Sequence, residues 1–261
     1  MILQEIAEKT RLRVAEEKSA LPLSEMKKRA QDLNPDTGFP FKKALSTADI
    51  SFICEVKRAS PSKGMIAEDF PYLDIARDYE AAGAAAISCL TEPFWFKGSD
   101  RYLQEIAAAV NIPVLRKDFT VDEYMIYQAK TLGASAVLLI CSILSKEQLA
   151  EYLEIAHSLG LSALVEAHDE EEVKTAVSVG AGIIGVNNRD LKTFTVDISN
   201  SARLRKLVPP EILFVSESGI KTAQDIAALR QNGTNAVLIG ETLMRSPDKK
   251  AALAQLRGTG A

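Results

Sequence analysis

From residue 50 onward the chain repeats one unit: a short, continuously apolar, β-branched run, a polar loop, and a segment whose apolar positions recur at helical spacing. The runs are Ile50–Val56, Ala85–Leu90, Pro113–Leu115, Ala136–Ile140, Ser162–Val165, Ile183–Val186, Ile212–Val215 and Ala236–Ile239. Helix-period segments between them include Tyr72–Ala82, Asp122–Leu132, Lys146–Leu159, Glu170–Val179 and Thr222–Gln231. Several close on a glycine just before the next strand (Gly83, Gly133, Gly160, Gly233), where the missing Cβ admits the left-handed turn that ends a helix. Strands that are apolar without alternation predict a parallel sheet covered on its outer face. Eight such units in about 210 residues predict a single (β/α)8 TIM barrel, an α/β fold. A doubly wound open sheet is the alternative, but no G-x-G-x-x-G follows the first strand.

Residues 1–49 stand outside the repeat. Ile2–Ser19 and Ser24–Leu33 read as helices, and Asn34–Pro40 as a loop. Such an extension either plugs the floor of the barrel or covers its mouth, and the pattern alone does not choose.

The 261 residues are 47% hydrophobic and 25% charged, which supplies a large core and excludes disorder or a disulfide-stapled mini-fold. A net charge of −4 argues against a nucleic-acid binder. The longest mostly apolar stretch, Ala134–Leu144, is too short to span a bilayer, so no membrane association is expected. Charges of both signs at the N-terminus do not fit a signal peptide. Cys54, Cys89 and Cys141 sit in apolar runs without C-x-x-C spacing, which reads as buried thiols in a reducing, cytoplasmic setting.

In a parallel barrel the polar side chains at the carboxyl ends of strands face the active-site mouth. Those ends carry Glu55 and Lys57, Lys117, Glu166, Asn187 and Arg189, and Glu217 and Ser218. Burying unpaired charge costs several kcal/mol, so such convergence requires either a structural ion cluster or chemistry. Strand alternation places Glu55 and Lys57 on one face, and the Ser60–Gly64 turn that follows suits a phosphate or a gate. Lys117 and Glu166 form a natural general acid and base, with desolvation expected to draw both toward neutrality. Gly219 and Gly240, after the last two strands, leave room for backbone N–H groups to approach an oxyanion, at the recurrent phosphate site of such barrels. The aromatic loop Phe94-Trp95-Phe96 is either a substrate wall or packing for the N-terminal helices. Only two histidines occur and no H-E-x-x-H, so no metal site is expected; His157 reads as structural and His168, beside acid-rich Asp169–Glu172, as solvated. These residues alone also leave open a Schiff-base aldolase or a sugar-phosphate binding module.

The segments Glu55-Val56-Lys57 through Ser60-Pro61-Ser62-Lys63-Gly64, Leu115-Arg116-Lys117-Asp118-Phe119, Val165-Glu166, Asn187-Asn188-Arg189-Asp190-Leu191 and Ser216-Glu217-Ser218-Gly219-Ile220 resemble the indole-3-glycerol phosphate synthase family, over nearly the whole chain. The resemblance implies decarboxylative, dehydrating ring closure of 1-(2-carboxyphenylamino)-1-deoxyribulose 5-phosphate in tryptophan biosynthesis. The products would be indole-3-glycerol phosphate, carbon dioxide and water, formed without cofactor or metal. It implies that Lys57 engages the substrate carboxylate, that Lys117 is the general acid and Glu166 the general base, and that Glu55 orients the lysines, although either lysine could protonate oxygen. Asn187, Arg189, Glu217 and Ser218 would hold polar groups of the substrate. Ser60, Gly219, Gly240 and the backbone of Glu241 match phosphate-binding positions, and Phe96, Phe119, Leu138, Ile140 and Leu191 the ring wall. Family members often carry a small residue where this chain has Glu241. In the family the extension folds over the mouth, which favours a lid, and a chain ending at Ala261 is expected to be the monofunctional, monomeric form.

Overall fold

The computed structural model describes residues 2–190 and 193–258. Eight parallel strands close into a barrel: β1 (Ser51–Val56), β2 (Ala86–Leu90), β3 (Val114–Lys117), β4 (Ala136–Ile140), β5 (Ser162–Ala167), β6 (Ile183–Asn187), β7 (Leu213–Glu217) and β8 (Ala236–Ile239). Each strand pairs with its neighbours in sequence and β1 pairs with β8, Ser51 opposite Ala236, so no edge is left open. The TIM barrel expected from the apolar runs is the fold, and every run falls within a residue or two of an observed strand.

Around the barrel lie α4 (Tyr72–Ala81), α5 (Asp100–Ala109), α6 (Glu123–Thr131), α7 (Lys146–Ser158), α8 (Glu170–Ser178), α9 (Ser199–Arg205), α10 (Ala223–Gln231), the short α11 (Glu241–Met244) and α12 (Lys249–Arg257). Six of them start on a side chain that accepts a backbone N–H of the first turn: Ser99, Asp122, Ser145, Asp169, Thr222 and Asp248. Each such cap contributes about 1 kcal/mol and fixes where the chain leaves its strand loop. Gly83, Gly133, Gly160 and Gly233 have positive φ, as the helix-ending pattern requires.

The extension contributes α1 (Ile2–Ala20), α2 (Leu23–Gln31) and α3 (Pro40–Leu45), the last of these extending beyond the expected loop. Its three parts sit in three places. Helix α1 lies across the carboxyl ends of the strands: Arg13 reaches the Asp118 carboxylate at 2.8 Å, Lys18 reaches Asp122 at 2.7 Å, and Ile2, Leu3 and Ile6 line the cavity there. Helix α2 packs on α6, with Lys27 over the Tyr127 ring. Helix α3 caps the opposite end of the barrel, where Phe41 and Leu45 are fully buried, the Lys42 N–H meets Ser162 Oγ at the start of β5, and Ser51 Oγ at the start of β1 donates to Ala44 O. Mouth cover and floor plug, posed as alternatives from the sequence, are both filled by this one segment.

Candidate active site

The strand ends open on one cavity of about 700 Å³. Alternation along the strands sends Glu55, Lys117, Glu166, Asn187 and Glu217 into it, while the loops add Lys57, Ser60, Phe96, Phe119, Arg189, Ser218, Gly219, Gly240 and Glu241; Leu138 and Ile140 complete the wall. All the site residues expected from the sequence line this cavity except Leu191, which lies outside the described residues.

Register sets the polar floor. Asn187 stands opposite Glu217, and Glu166 lies between Ile140 and Gly185 on the flanking strands. Lys117 Nζ lies 3.4 Å from Glu166 Oε2 and 3.8 Å from Glu217 Oε2. Asn187 Nδ2 donates to Glu166 Oε1 at 3.4 Å. Across the cavity Lys57 donates to Glu55, whose other oxygen accepts from Ser88 Oγ at 3.4 Å. Two glycines make this possible by absence: a Cβ on Gly185 would sit 2.2 Å from Glu217 Oε1, and one on Gly240 would sit 2.4 Å from Glu55 Oε1 and 2.9 Å from Lys57 Nζ. Gly240 thus makes room for the ion pair, a duty separate from the phosphate approach expected from the sequence.

The expectation that desolvation draws Lys117 and Glu166 toward neutrality is overturned. Burial does pull the Lys117 ammonium down, but the fields of Glu166, Glu217 and Glu55 outweigh it and leave its pKa raised. Burial likewise opposes charge on Glu166, yet Lys117 and then His168 hold it well below the usual carboxylate range. The carboxylate that moves to neutrality is Glu217: burial, then repulsion from Glu166, push it up to about 8, and its Oε1 is buried without a hydrogen-bond partner. One ammonium between two carboxylates holds one of them ionised and leaves the other a proton.

Toward β7 and β8 the cavity changes character. Ser218 and Gly219 both have positive φ (68° and 84°), and Asn188 Nδ2 holds the Ser218 carbonyl at 3.1 Å. Lys63, Lys221 and Arg245 line this end, none of them singled out from the sequence. Glu241 here meets Lys63 at 3.6 Å and Arg245 at 3.2 Å. The Ser60–Gly64 turn is the tip of a small antiparallel hairpin, Ser60 opposite Gly64. The opposite wall is apolar: the Phe96 and Phe119 rings lie 6.0 Å apart beside Leu138, Ile140 and the α1 residues. The aromatic loop divides its duties, since Phe96 joins this wall while Phe94 lies beneath Lys9 of α1. The Glu92 carboxylate pins the loop by accepting the N–H groups of Phe94, Trp95 and Phe96.

His168, expected to be solvated, is instead largely buried, with Nε2 3.2 Å from Glu166 Oε1 and Nδ1 3.0 Å from Glu172 Oε2. Burial lowers its pKa, but the hydrogen bonds and charges of the two carboxylates raise it to about 10. The sequence signal was present, a histidine two residues beyond a strand-end glutamate, but its direction was not.

A family model described as indole-3-glycerol phosphate synthase matches residues 3–256. Relatives of that name from Ruminiclostridium cellulolyticum and Endomicrobium trichonymphae are 60% and 58% identical over 259 residues, covering 99% and 98% of this chain and 100% of each relative. Among solved structures, a thiamine phosphate pyrophosphorylase from Pyrococcus furiosus superposes with a TM-score of 0.60 at 17% identity, covering 84% of this chain and 96% of its own. A mutant tryptophan synthase alpha-subunit from the same organism gives 0.60 at 15%, covering 80% and 98%; both likenesses are of fold alone.

Proposed function

The chain belongs to the indole-3-glycerol phosphate synthase family, and we propose from that premise how its cavity carries out the reaction. The enzyme is a carboxy-lyase of tryptophan biosynthesis that converts 1-(2-carboxyphenylamino)-1-deoxyribulose 5-phosphate to indole-3-glycerol phosphate, carbon dioxide and water. The observation that carries the assignment of roles is one ammonium, Lys117, within 4 Å of two carboxylates of opposite protonation tendency, between an apolar wall and a cationic rim.

The phosphate end of the substrate suits the rim formed by Gly219, Gly240 and Glu241 N–H groups with Ser60, Lys63, Lys221 and Arg245. Its anthranilate ring suits Phe96, Phe119, Leu138 and Ile140, with Lys57 facing the ring carboxylate. Lys117 then protonates the ribulose ketone oxygen as the ring carbon bearing the carboxylate attacks the ketone carbon. Loss of carbon dioxide returns the electron pair to the ring. In the dehydration the new hydroxyl leaves as water on taking a second proton, and Glu166 removes a proton from the carbon next to nitrogen. Glu217 and Asn187 hold the hydroxyls, Ser218 and Arg189 contribute polar contacts, and Glu55 keeps Lys57 oriented. Lys117 is favoured over Lys57 as the acid because Lys57 is joined directly to Glu55, whereas Lys117 stands between base and partner carboxylate. The protein's own part in these steps is to bind, to orient and to move protons.

We read residues 1–49 as a unit that closes the mouth with α1, and residues 50–261 as the catalytic barrel. We read the protein as a monomer. Three buried free cysteines support a cytoplasmic setting, and no described helix is long and apolar enough to cross a membrane. The direct test is incubation with the carboxyphenylamino sugar phosphate. Indole absorbance and released carbon dioxide are expected together; absence of either, or a covalent adduct trapped by borohydride, would refute the mechanism.

A further inference from the structure

These steps leave His168 and Glu172 without a task, although they adjoin the base. His168 does not line the cavity; it follows β5 and leans toward α8, where Glu172 Oε2 accepts its backbone N–H at 2.8 Å and faces its Nδ1 at 3.0 Å. Asn200 Nδ2 holds the His168 carbonyl at 3.2 Å, so the residue is fixed from a second element. The other ring nitrogen, Nε2, is fully buried, makes no aligned hydrogen bond and lies 3.2 Å from Glu166 Oε1. The result is a row of polar contacts, Glu172 to His168 to Glu166 to Lys117, at 3.0, 3.2 and 3.4 Å. Exposure falls from Glu172 and His168, whose side chains keep 20% and 18% of their surface, to Glu166 with 3%, and rises again at Lys117, which faces the cavity with 16%. Other ionisable groups that act on the row are Glu217 and Glu55 beyond Lys117, Asp169 at the cap of α8, and Cys141, whose thiol donates to the Glu172 carbonyl.

Proton arithmetic gives this row a purpose. The substrate carboxylate leaves as neutral carbon dioxide and its ketone oxygen as water. Two protons therefore reach that oxygen, while only one comes off carbon. Each turnover draws one proton from solvent, at a stage when substrate fills the cavity and α1 lies across it.

We propose that His168 and Glu172 form a proton relay that reloads the Lys117–Glu166 pair from solvent behind the bound substrate. The N–H bond at His168 Nε2 breaks as an O–H bond forms at Glu166 Oε1; the carboxyl then turns about Cγ–Cδ, and that O–H breaks as an N–H bond forms on the neutral Lys117 amine. The neutral ring turns about Cβ–Cγ, takes a solvent proton on the Glu172 side, and turns back. His168 is thus a positioning and relay residue acting through Glu166, and the proposal rests on the acid–base roles given above.

The test compares His168→Gln, which keeps an amide donor but cannot carry a proton, with Glu172→Gln, in steady-state kinetics across pH. For His168→Gln the expected result is a kcat about 10- to 100-fold lower with KM changed less than about twofold. The deficit grows with pH and is relieved by added imidazole. Glu172→Gln is expected to show the same alkaline, buffer-dependent deficit in smaller degree, and it decides the matter if His168→Gln fails to fold. A kcat for His168→Gln equal to that of the wild-type enzyme, or a loss that imidazole does not relieve, overturns the relay. Glu166→Gln separates the two ideas. If it retains turnover, the acid–base reading falls and the relay with it. If it lowers turnover while His168→Gln leaves kcat at the wild-type value, the relay alone falls.

Discussion

Arg116 and Lys117 are sequence neighbours at the end of β3, the first buried and the second half-buried, and they serve opposite purposes because alternation turns them to opposite faces of the sheet. Arg116 points outward, where Nε donates to Thr91 Oγ1 at 3.2 Å, Nη1 to Met125 O at 2.8 Å, and Nη2 to Asp100 and Gln128 at 2.8 Å each. Asp118, on the same outer side, accepts from Arg13, Thr91 and the Phe119 N–H. Lys117 points inward to contacts of 3.4 and 3.8 Å, next to a Glu217 oxygen with no partner. Saturated, short-bonded buried charge holds elements together. Charge held at longer distance, with a valence unfilled, is set to meet a substrate. The two readings of a buried ion cluster posed by the sequence are both present, one strand thickness apart.

The largest expected effects separate these faces. Glu166→Gln should lower kcat by about 10²–10⁴ with little change in KM or in thermal midpoint. Asp118→Ala should do the reverse, costing about 3–5 kcal/mol in urea unfolding because it leaves the largely buried Arg13 without its 2.8 Å carboxylate partner. If kcat of the folded Asp118→Ala enzyme fell as far as that of Glu166→Gln, the division of labour would be wrong.

Gly240→Ala probes the mouth by volume instead of charge. Its Cβ would meet Glu55 and Lys57 within 3 Å, and displacing that pair should cut kcat/KM by about 10²-fold. Retained activity would mean that the position of the pair is not critical.

The faces should also differ in pH dependence. Glu217 is raised from 4.5 to about 8, so the folded state holds a proton the unfolded chain has released; its contribution is full below pH 4.5 and lost as pH rises through 8. His168, raised from 6.5 to about 10, behaves alike over pH 6.5 to 10. Asp118 is depressed despite burial, chiefly by Arg13 and Arg116, so its contribution is present above its ordinary value and lost in acid. Thermal midpoints should therefore fall on both sides, with Glu217→Gln flattening the slope between pH 5 and 8 and Asp118→Asn the acid slope. Unchanged slopes would contradict the assignment.

The smallest effect is expected at the rim. Glu241→Ser removes a partly exposed carboxylate that contacts Lys63 and Arg245, pairs of a kind worth up to about 1 kcal/mol. KM should shift by less than about fivefold, because in the binding mode proposed above the backbone N–H, not the carboxylate, meets the phosphate.

The barrel was legible because each strand and helix announces itself locally, through apolar runs, Ser, Thr and Asp caps, and closing glycines. The strand-end residues Glu55, Lys117, Glu166 and Glu217 were legible for the same reason: alternation over a few residues decides which way they face. Lys221 and Arg245 escaped notice because they sit on loops whose paths depend on what they pack against. His168 did so because the carboxylate that turns it inward, Glu172, also belongs to a run that reads as a solvated helix start.

What the sequence determined by itself, then, is the periodic architecture and the set of groups at the mouth, since short-range sterics and strand parity depend only on neighbours in the chain. What the tertiary structure decided is which charges meet. Arg13 finds Asp118 across 105 residues, and Lys117 finds Glu166 across 49. Coulomb energy depends on distance in space and on exclusion of water, and neither is set until the barrel has closed and α1 lies over it. For that reason the protonation of the site, with Glu217 rather than Glu166 as the raised carboxylate, belongs to the fold and not to any segment of the chain.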